Sequence, residues 1–261
     1  RAYITNYGSG AYNTITVVDL VTQKSLATID LGALRGPHGI EFANGKVWFT
    51  AEAARAIASY DPATQKIDWI LGTGQNRTHM LVVAPDGKRI LTTNVNSATV
   101  TVIEQTSVQS RVDYDETVIP VGNGAEGIDV SPDGKEAWVA NAQDGTISVI
   151  DLVAKRVVQT LDASVRGANR LKFTPDGTLA FVTTLSGPDV TVLDVKTRAV
   201  AKRIPVGRGA AGIQMLPDGA RAFIACTPEN YIAIIDIKRL AVVDHLAAGR
   251  QPDGLAWAIQ R

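Results

Sequence analysis

A chain of 261 residues with 45% hydrophobic and 20% charged residues has the makeup of a folded globular protein with one substantial core. Its 26 basic and 26 acidic residues balance to zero formal charge, which argues against nucleic acid or an anionic membrane as partner. The single cysteine, Cys226, excludes an internal disulfide framework and a cysteine-built zinc site, and no run of 18 apolar residues is present to span a membrane.

The chain opens in strand, Ala2-Tyr3-Ile4-Thr5-Asn6, which predicts a trimmed or processed start that has lost any targeting peptide. Strands over 14–19 and 25–31 follow. From there a unit repeats: a β-branched strand closes on an acidic residue at Asp19, Asp61, Glu104, Asp151, Asp194 and Asp236, at steps of 42, 43, 47, 43 and 42 residues. The turn Pro-Asp-Gly recurs at 85–87, 132–134, 175–177 and 217–219, with Ala43-Asn44-Gly45 in the same slot of another repeat.

The fourth repeat shows the unit whole. Gly127–Val130 reads as a first strand, Glu136–Asn141 as a second, Thr146–Asp151 as a third and Arg156–Leu161 as a fourth, with turn residues between them. The 47-residue step predicts an outward loop near Ser107–Glu116, between a third and a fourth strand, suited to a partner contact. At the C-terminus only a first strand remains, Gly254–Ile259. A four-strand unit of this length cannot bury its apolar face alone, so the units must stack. The expected fold is all-β: a single domain over 1–261, a six-bladed β-propeller of four-stranded antiparallel blades, its ring closed by a composite blade made from both termini.

Ala2-Tyr3-Ile4-Thr5-Asn6 and Ala137-Trp138-Val139-Ala140-Asn141, with the strands ending Val18-Asp19-Leu20 and Ile150-Asp151-Leu152, resemble the YVTN-type propeller repeat along essentially the whole chain. The resemblance implies an exported protein, periplasmic or extracellular, of bacterial or archaeal type. One blade, with Gly36-Pro37-His38-Gly39-Ile40 and Val47-Trp48-Phe49-Thr50-Ala51-Glu52, is also similar to repeats of virginiamycin B lyase and its relatives, propeller lyases that use a metal and a histidine on one face.

Counting along the repeats places the candidate chemistry. The residue before each first strand reads Asp253, His38, His79, Glu126, Asn169 and Ala211. The far end of each second strand returns to the same face and reads Asn6, Glu52, Asn94, Asn141, Thr184 and Cys226. Three residues ahead of the first set stand Arg250, Arg35, Asn76, Asn123, Arg166 and Arg208. Two imidazoles with the carboxylates of Glu126 and Asp253 are ligand types for one divalent metal ion. Glu52, beside His38, is the candidate base, with His38 the other candidate catalytic group. Arg35, Arg166, Arg208 and Arg250, with Asn169, would form a rim that binds an anionic ligand.

A solvated mouth carries polar residues at strand starts without any function, and His245 belongs to an outer strand. The repeated Asp residues cap turns, Asn6, Asn94 and Asn141 tie loops, and Cys226 is a small buried thiol. The expected function is a propeller that binds a small anionic molecule or a protein partner at one mouth of its channel, possessing no membrane span and acting as a monomer. A metal-dependent lyase or lactone hydrolase on the same face is the alternative. A structural or surface-layer propeller is the second alternative, disfavoured because the polar residues crowd into four of the six repeats.

Overall fold

The computed structural model of the chain describes residues 1–108 and 111–258. The protein is an all-β, six-bladed propeller, each sheet running in sequence order and antiparallel. Two compact units, Arg1–Ile119 and Pro120–Arg261, hold three blades each. Helical content among the described residues is two three-residue 3₁₀ turns, Gly8–Gly10 and Thr227–Glu229, and none of the described helices is long and apolar enough to cross a membrane.

The first unit contains Ala2–Asn6, Thr14–Asp19 and Lys24–Asp30; then Pro37–Ala43, Lys46–Ala51, Ala56–Asp61 and Lys66–Gly72; then Thr78–Val83, Arg89–Asn94, Thr99–Val108 and Arg111–Pro120. The second contains Ala125–Val130, Glu136–Asn141, Thr146–Asp151 and Arg156–Asp162; then Ala168–Phe173, Leu179–Thr184, Asp189–Asp194 and Ala199–Pro205; then Ala210–Met215, Arg221–Cys226, Tyr231–Asp236 and Ala241–Ala247. Within each unit the blades stack through apolar faces. Phe49 and Ala51 of the second blade pack with Ile15 and Leu31. Trp138 of the fourth blade meets Leu171 and Phe173 of the fifth. Both Phe49 and Trp138 are fully buried, so truncating either costs about 3–5 kcal/mol.

The acidic residues that mark the repeat do cap turns. Asp19 accepts the amides of Val21 and Thr22, and Asp151 those of Val153 and Ala154. Asp194 and Asp236 accept those of Thr197 and Arg239. Glu104 is the exception, because it lies inside the ten-residue strand Thr99–Val108. Where an outward loop near Ser107–Glu116 was expected, Thr99–Val108 and Arg111–Pro120 are ten-residue strands, the alternation of Thr and Val from Thr99 onward carrying the first of them on. Residues 109–110 of that expected loop lie outside the described residues.

The first blade has three strands. The expected closing strand, Gly254–Ile259, takes no strand conformation over 254–258, and Ile259 lies outside the described residues. The segment leading into it is held by the sixth blade: Thr227 Oγ1 donates to the Pro252 carbonyl at 2.8 Å, and Asn230 Oδ1 accepts the Gln251 amide at 2.9 Å.

Candidate functional site

The residues placed before each first strand sit inside it, at a bulge. The register of the first strand against the second shifts between Pro37 and Ile40, Thr78 and Leu81, Ala125 and Ile128, Ala168 and Leu171, and Ala210 and Ile213. His38, His79, Glu126, Asn169 and Ala211 are the first residue of each bulge. A bulge breaks the strict alternation of a strand and re-aims the side chain it carries.

Threonines in the second strands fix these bulges. Thr50 Oγ1 accepts the Gly39 amide at 2.9 Å and donates to the His79 carbonyl of the next blade at 2.7 Å. Thr183 does the same for the Arg170 amide, at 3.0 Å, and the Ala211 carbonyl, at 2.7 Å. Thr5 donates to the His38 carbonyl at 2.9 Å. Adjacent first strands approach so closely that a Cβ on Gly39 would lie 2.7 Å from the His79 carbonyl oxygen, which explains the glycine.

In the first unit these devices gather five side chains. Glu52 is bonded to His79, Oε1 to Nδ1, and its Oε2 accepts the Tyr7 hydroxyl at 2.7 Å. The His38 and His79 rings stack with centroids 3.8 Å apart, and Tyr7 meets His38 edge-on at 4.9 Å. Arg77 Nε lies 3.7 Å from Glu52 Oε1. Little of this is solvated: the side chain of Glu52 is 9% exposed and that of His79 3%. Among the described residues, one group of three or more metal-ligand side chains exists: His38, Glu52 and His79, with one donor atom from each within 4.8 Å of the others.

Burial alone would raise the Glu52 pKa, but the hydrogen bond and charge of His79, with smaller help from Tyr7 and Arg77, hold it below the usual carboxylate value. The Tyr7 hydroxyl is pushed up to about 12 by burial and by its bond to Glu52. At neutral pH the pair is therefore a carboxylate receiving a phenol proton.

Glu52 does not occupy the slot that Asn6, Asn94 and Asn141 share. That slot holds Ala51, paired with Ala56, whereas Asn6 pairs with Thr14 and Asn94 with Thr99. The asparagines donate to two hydroxyls of the third strand, Thr14 and Thr16, Thr99 and Thr101, or Thr146 and Ser148. The second blade has Ala56 and Ala58 instead, so an asparagine there would have no partner and an alanine packs in its place. Glu52 follows it, in the slot of Tyr7, and that one-residue offset lets the two side chains meet.

The remaining candidates are placed as follows. Glu126 and Asp253 belong to the second unit, where both act on the guanidinium of Arg170, a side chain 14% exposed; Nη1 is 3.9 Å from Glu126 Oε1. Burial pushes the Arg170 pKa down while Asp253 and Glu126 push it up, with a net lowering. Asn169 is buried beside it. Arg35 donates to the Ala11 carbonyl and Arg166 to the Gln143 carbonyl, at 2.8 and 2.6 Å, and Arg208 pairs with Glu229 at 2.9 Å. Arg250 is exposed in a shallow cleft with Pro228, Asn230 and Gln251. His245 lies on an outer strand against Tyr231, and Cys226 is buried with its Sγ 3.3 Å from the Val206 carbonyl oxygen. Repeat counting missed Tyr7, Arg77 and Arg170, each next to a counted position.

A family model described as a YNCE-like beta-propeller matches residues 19–222. No curated protein matches the chain. Among solved structures, hydrazine synthase of Kuenenia stuttgartiensis superposes with a TM-score of 0.78 at 17% identity, over 97% of this chain and 84% of that one. A putative 6-phosphogluconolactonase from Bacteroides uniformis superposes with a TM-score of 0.73 at 15% identity, over 91% and 79%. Identities this low show a shared fold, and the propeller read from the repeats is borne out.

Proposed function

The chain belongs to the YNCE-like β-propeller family, and from that premise we propose that its first three blades hold one divalent metal ion on His38, Glu52 and His79 and bind a small anionic ligand there. The observation that carries this reading is the convergence of three donor atoms within 4.8 Å. Bonds of about 2.0–2.2 Å keep two ligands of one ion within about 4.4 Å of each other, so small side-chain movements complete the set. Two imidazoles and a carboxylate suit zinc or a neighbouring first-row ion. Glu52 takes the part of the carboxylate that the sequence assigned to Glu126 and Asp253.

Elemental analysis of protein purified without chelators or an affinity tag, followed by cobalt titration, tests this. Near-stoichiometric metal, lost in His38→Ala and in His79→Ala while the circular dichroism of the propeller is kept, is expected. Folded wild-type protein that takes up no metal even on back-titration overturns the reading.

A catalytic version, a lyase or lactone hydrolase, is favoured by one feature: the Tyr7 hydroxyl held protonated 2.7 Å from an ionised Glu52. Bound metal would polarise a carbonyl oxygen, and the Tyr7–Glu52 pair would carry the proton. Tyr7→Phe is then expected to retain metal and lower turnover on small lactones about 100-fold or more. Equal turnover in the two proteins removes Tyr7 from the chemistry.

A further inference from the structure

We infer that Arg77 is the residue that recognises the anion, and that the ligand is a small acid carrying a second oxygen next to its carboxylate, an α-hydroxy or α-keto acid. The inference rests on the metal reading above. Its own support begins with the backbone. The residue two before each bulge residue is Gly36, Gly124, Gly167 and Gly209 in four blades, all with φ between 62° and 72°. Arg77 fills that position in the third blade at φ 57°. Gln251, two before Asp253, takes the same conformation at φ 54°, so the position accepts a side chain at a cost of about 1 kcal/mol relative to glycine, and what sets Arg77 apart is where its side chain ends.

The Arg77 side chain is 40% exposed while its Nε pairs with Glu52 Oε1 at 3.7 Å and it bonds to the Tyr7 hydroxyl, so part of the guanidinium remains open to solvent. Of the expected rim, Arg35 and Arg166 are committed to loop carbonyls and Arg208 to Glu229, while Arg250 is exposed in a cleft of the second unit with Pro228 and Asn230. Arg77 stands at the edge of the histidine cluster, near enough to Tyr7 and Glu52 to influence both.

The charge balance then fixes the ligand class. Glu52 carries the negative charge of the cluster, next to His79 and Tyr7. A divalent ion on this set, with Arg77 alongside, leaves the site positive, so it attracts an anion. A planar guanidinium pairs a carboxylate through two parallel hydrogen bonds. A carboxylate that also reaches the ion has one oxygen to share, and a hydroxyl or keto oxygen on the neighbouring carbon closes a five-membered chelate. A plain carboxylate lacks that second bond, and an amide lacks the charge that Arg77 reads.

Calorimetric titration of metal-loaded protein with glycolate, acetate and glycolamide tests the assignment, with metal stoichiometry measured first. Glycolate is expected to bind at least 10-fold more tightly than either analogue. Arg77→Gly is expected to weaken glycolate about 10- to 100-fold while leaving metal affinity unchanged. Arg77→Lys should recover only part of the loss, since a point charge cannot form the paired bonds. If metal loads but glycolate binds wild-type and Arg77→Gly alike, or no tighter than acetate, this inference falls and the metal site stands. If no metal loads, the same anions are titrated into metal-free protein: loss of binding in Arg77→Gly keeps the arginine assignment, and no binding to wild-type overturns it.

Discussion

The bulge that carries His38 and His79 in the first unit carries Glu126, Asn169 and Ala211 in the second, on the same backbone. Thr50 and Thr183 make the same two hydrogen bonds at nearly the same distances. The chemistry nevertheless diverges one residue further on. Where the first unit has Gly39 and Met80, the fifth blade has Arg170, which enters the second unit's polar cluster and pairs with Glu126. The first unit thus gathers two imidazoles around a carboxylate held by a neutral phenol and a histidine, while the second sets one guanidinium against two carboxylates. In such a fold the repeat supplies a position, and the residue at the bulge decides whether that position binds or merely closes the structure.

The largest effect that can break this contrast is on stability in the second unit. The Arg170 side chain is 14% exposed and stands 3.9 Å from Glu126, itself 9% exposed. Arg170→Met would remove the guanidinium from beside Glu126 and Asp253, and the expected loss is about 3 kcal/mol in urea unfolding. Arg77→Gly, in contrast, should change stability by less than about 1 kcal/mol, because its side chain is substantially exposed and the left-handed strain is relieved. Equal losses in the two variants would mean that the clusters do not differ in the way described.

A finer test uses the threonines. Thr50→Val and Thr183→Val each remove one bond to an amide and one to a carbonyl in a buried setting, so each should cost about 2 kcal/mol. Only Thr50→Val releases the His79 peptide, and only it should also weaken metal binding, by about 10-fold. A Thr183→Val protein with the same loss of metal affinity would show that general loosening, not the position of the histidines, sets the affinity.

The strands, their order and the capping role of the aspartates were legible because period-2 alternation and turn residues leave compositional marks. The histidines could be aligned for the same reason. A bulge leaves no such mark: Gly39 and Gly127 hint at close approach, but Met80 and Arg170 occupy the same bulge position without glycine. Glu52 was assigned to the wrong slot because the second blade replaces Asn by Ala51. The paired change to Ala56 and Ala58 on the third strand was the available signal, since an asparagine there has no hydroxyls to bond. Arg77 escaped notice because the count fixed on residues three before the bulge, where side chains tie loops, and not on the glycine position one step later. Repeat logic placed the closing strand; residues 254–258 take no strand conformation, yet the Asp253 carbonyl lies against Gly212 as the His79 carbonyl lies against Gly39, and Thr227 and Asn230 hold the approach to it from within the sixth blade.

The smallest effect sharpens the contrast at a single atom. In the third blade Asn94 accepts a hydrogen bond from Thr78 Oγ1 at 3.0 Å while donating to Thr99 and Thr101. In the fourth blade Asn141 donates equally to Thr146 and Ser148, but Ala125 stands where Thr78 does, and the buried Asn141 Oδ1 has no hydrogen-bond partner among the described residues. A buried acceptor left unmade costs about 1–3 kcal/mol, and Ala125→Ser places a hydroxyl at the equivalent position while adding one heavy atom to a fully buried site. The expected gain is about 1 kcal/mol, a rise of about 2–4 °C in Tm for a chain of this size. The converse, Thr78→Ala, should lose a similar amount in the first unit. An unchanged or lower Tm for Ala125→Ser, with Thr78→Ala clearly destabilised, would mean that the fourth blade satisfies its asparagine by another route and that the two units differ less in their internal bonding than Asn141 implies.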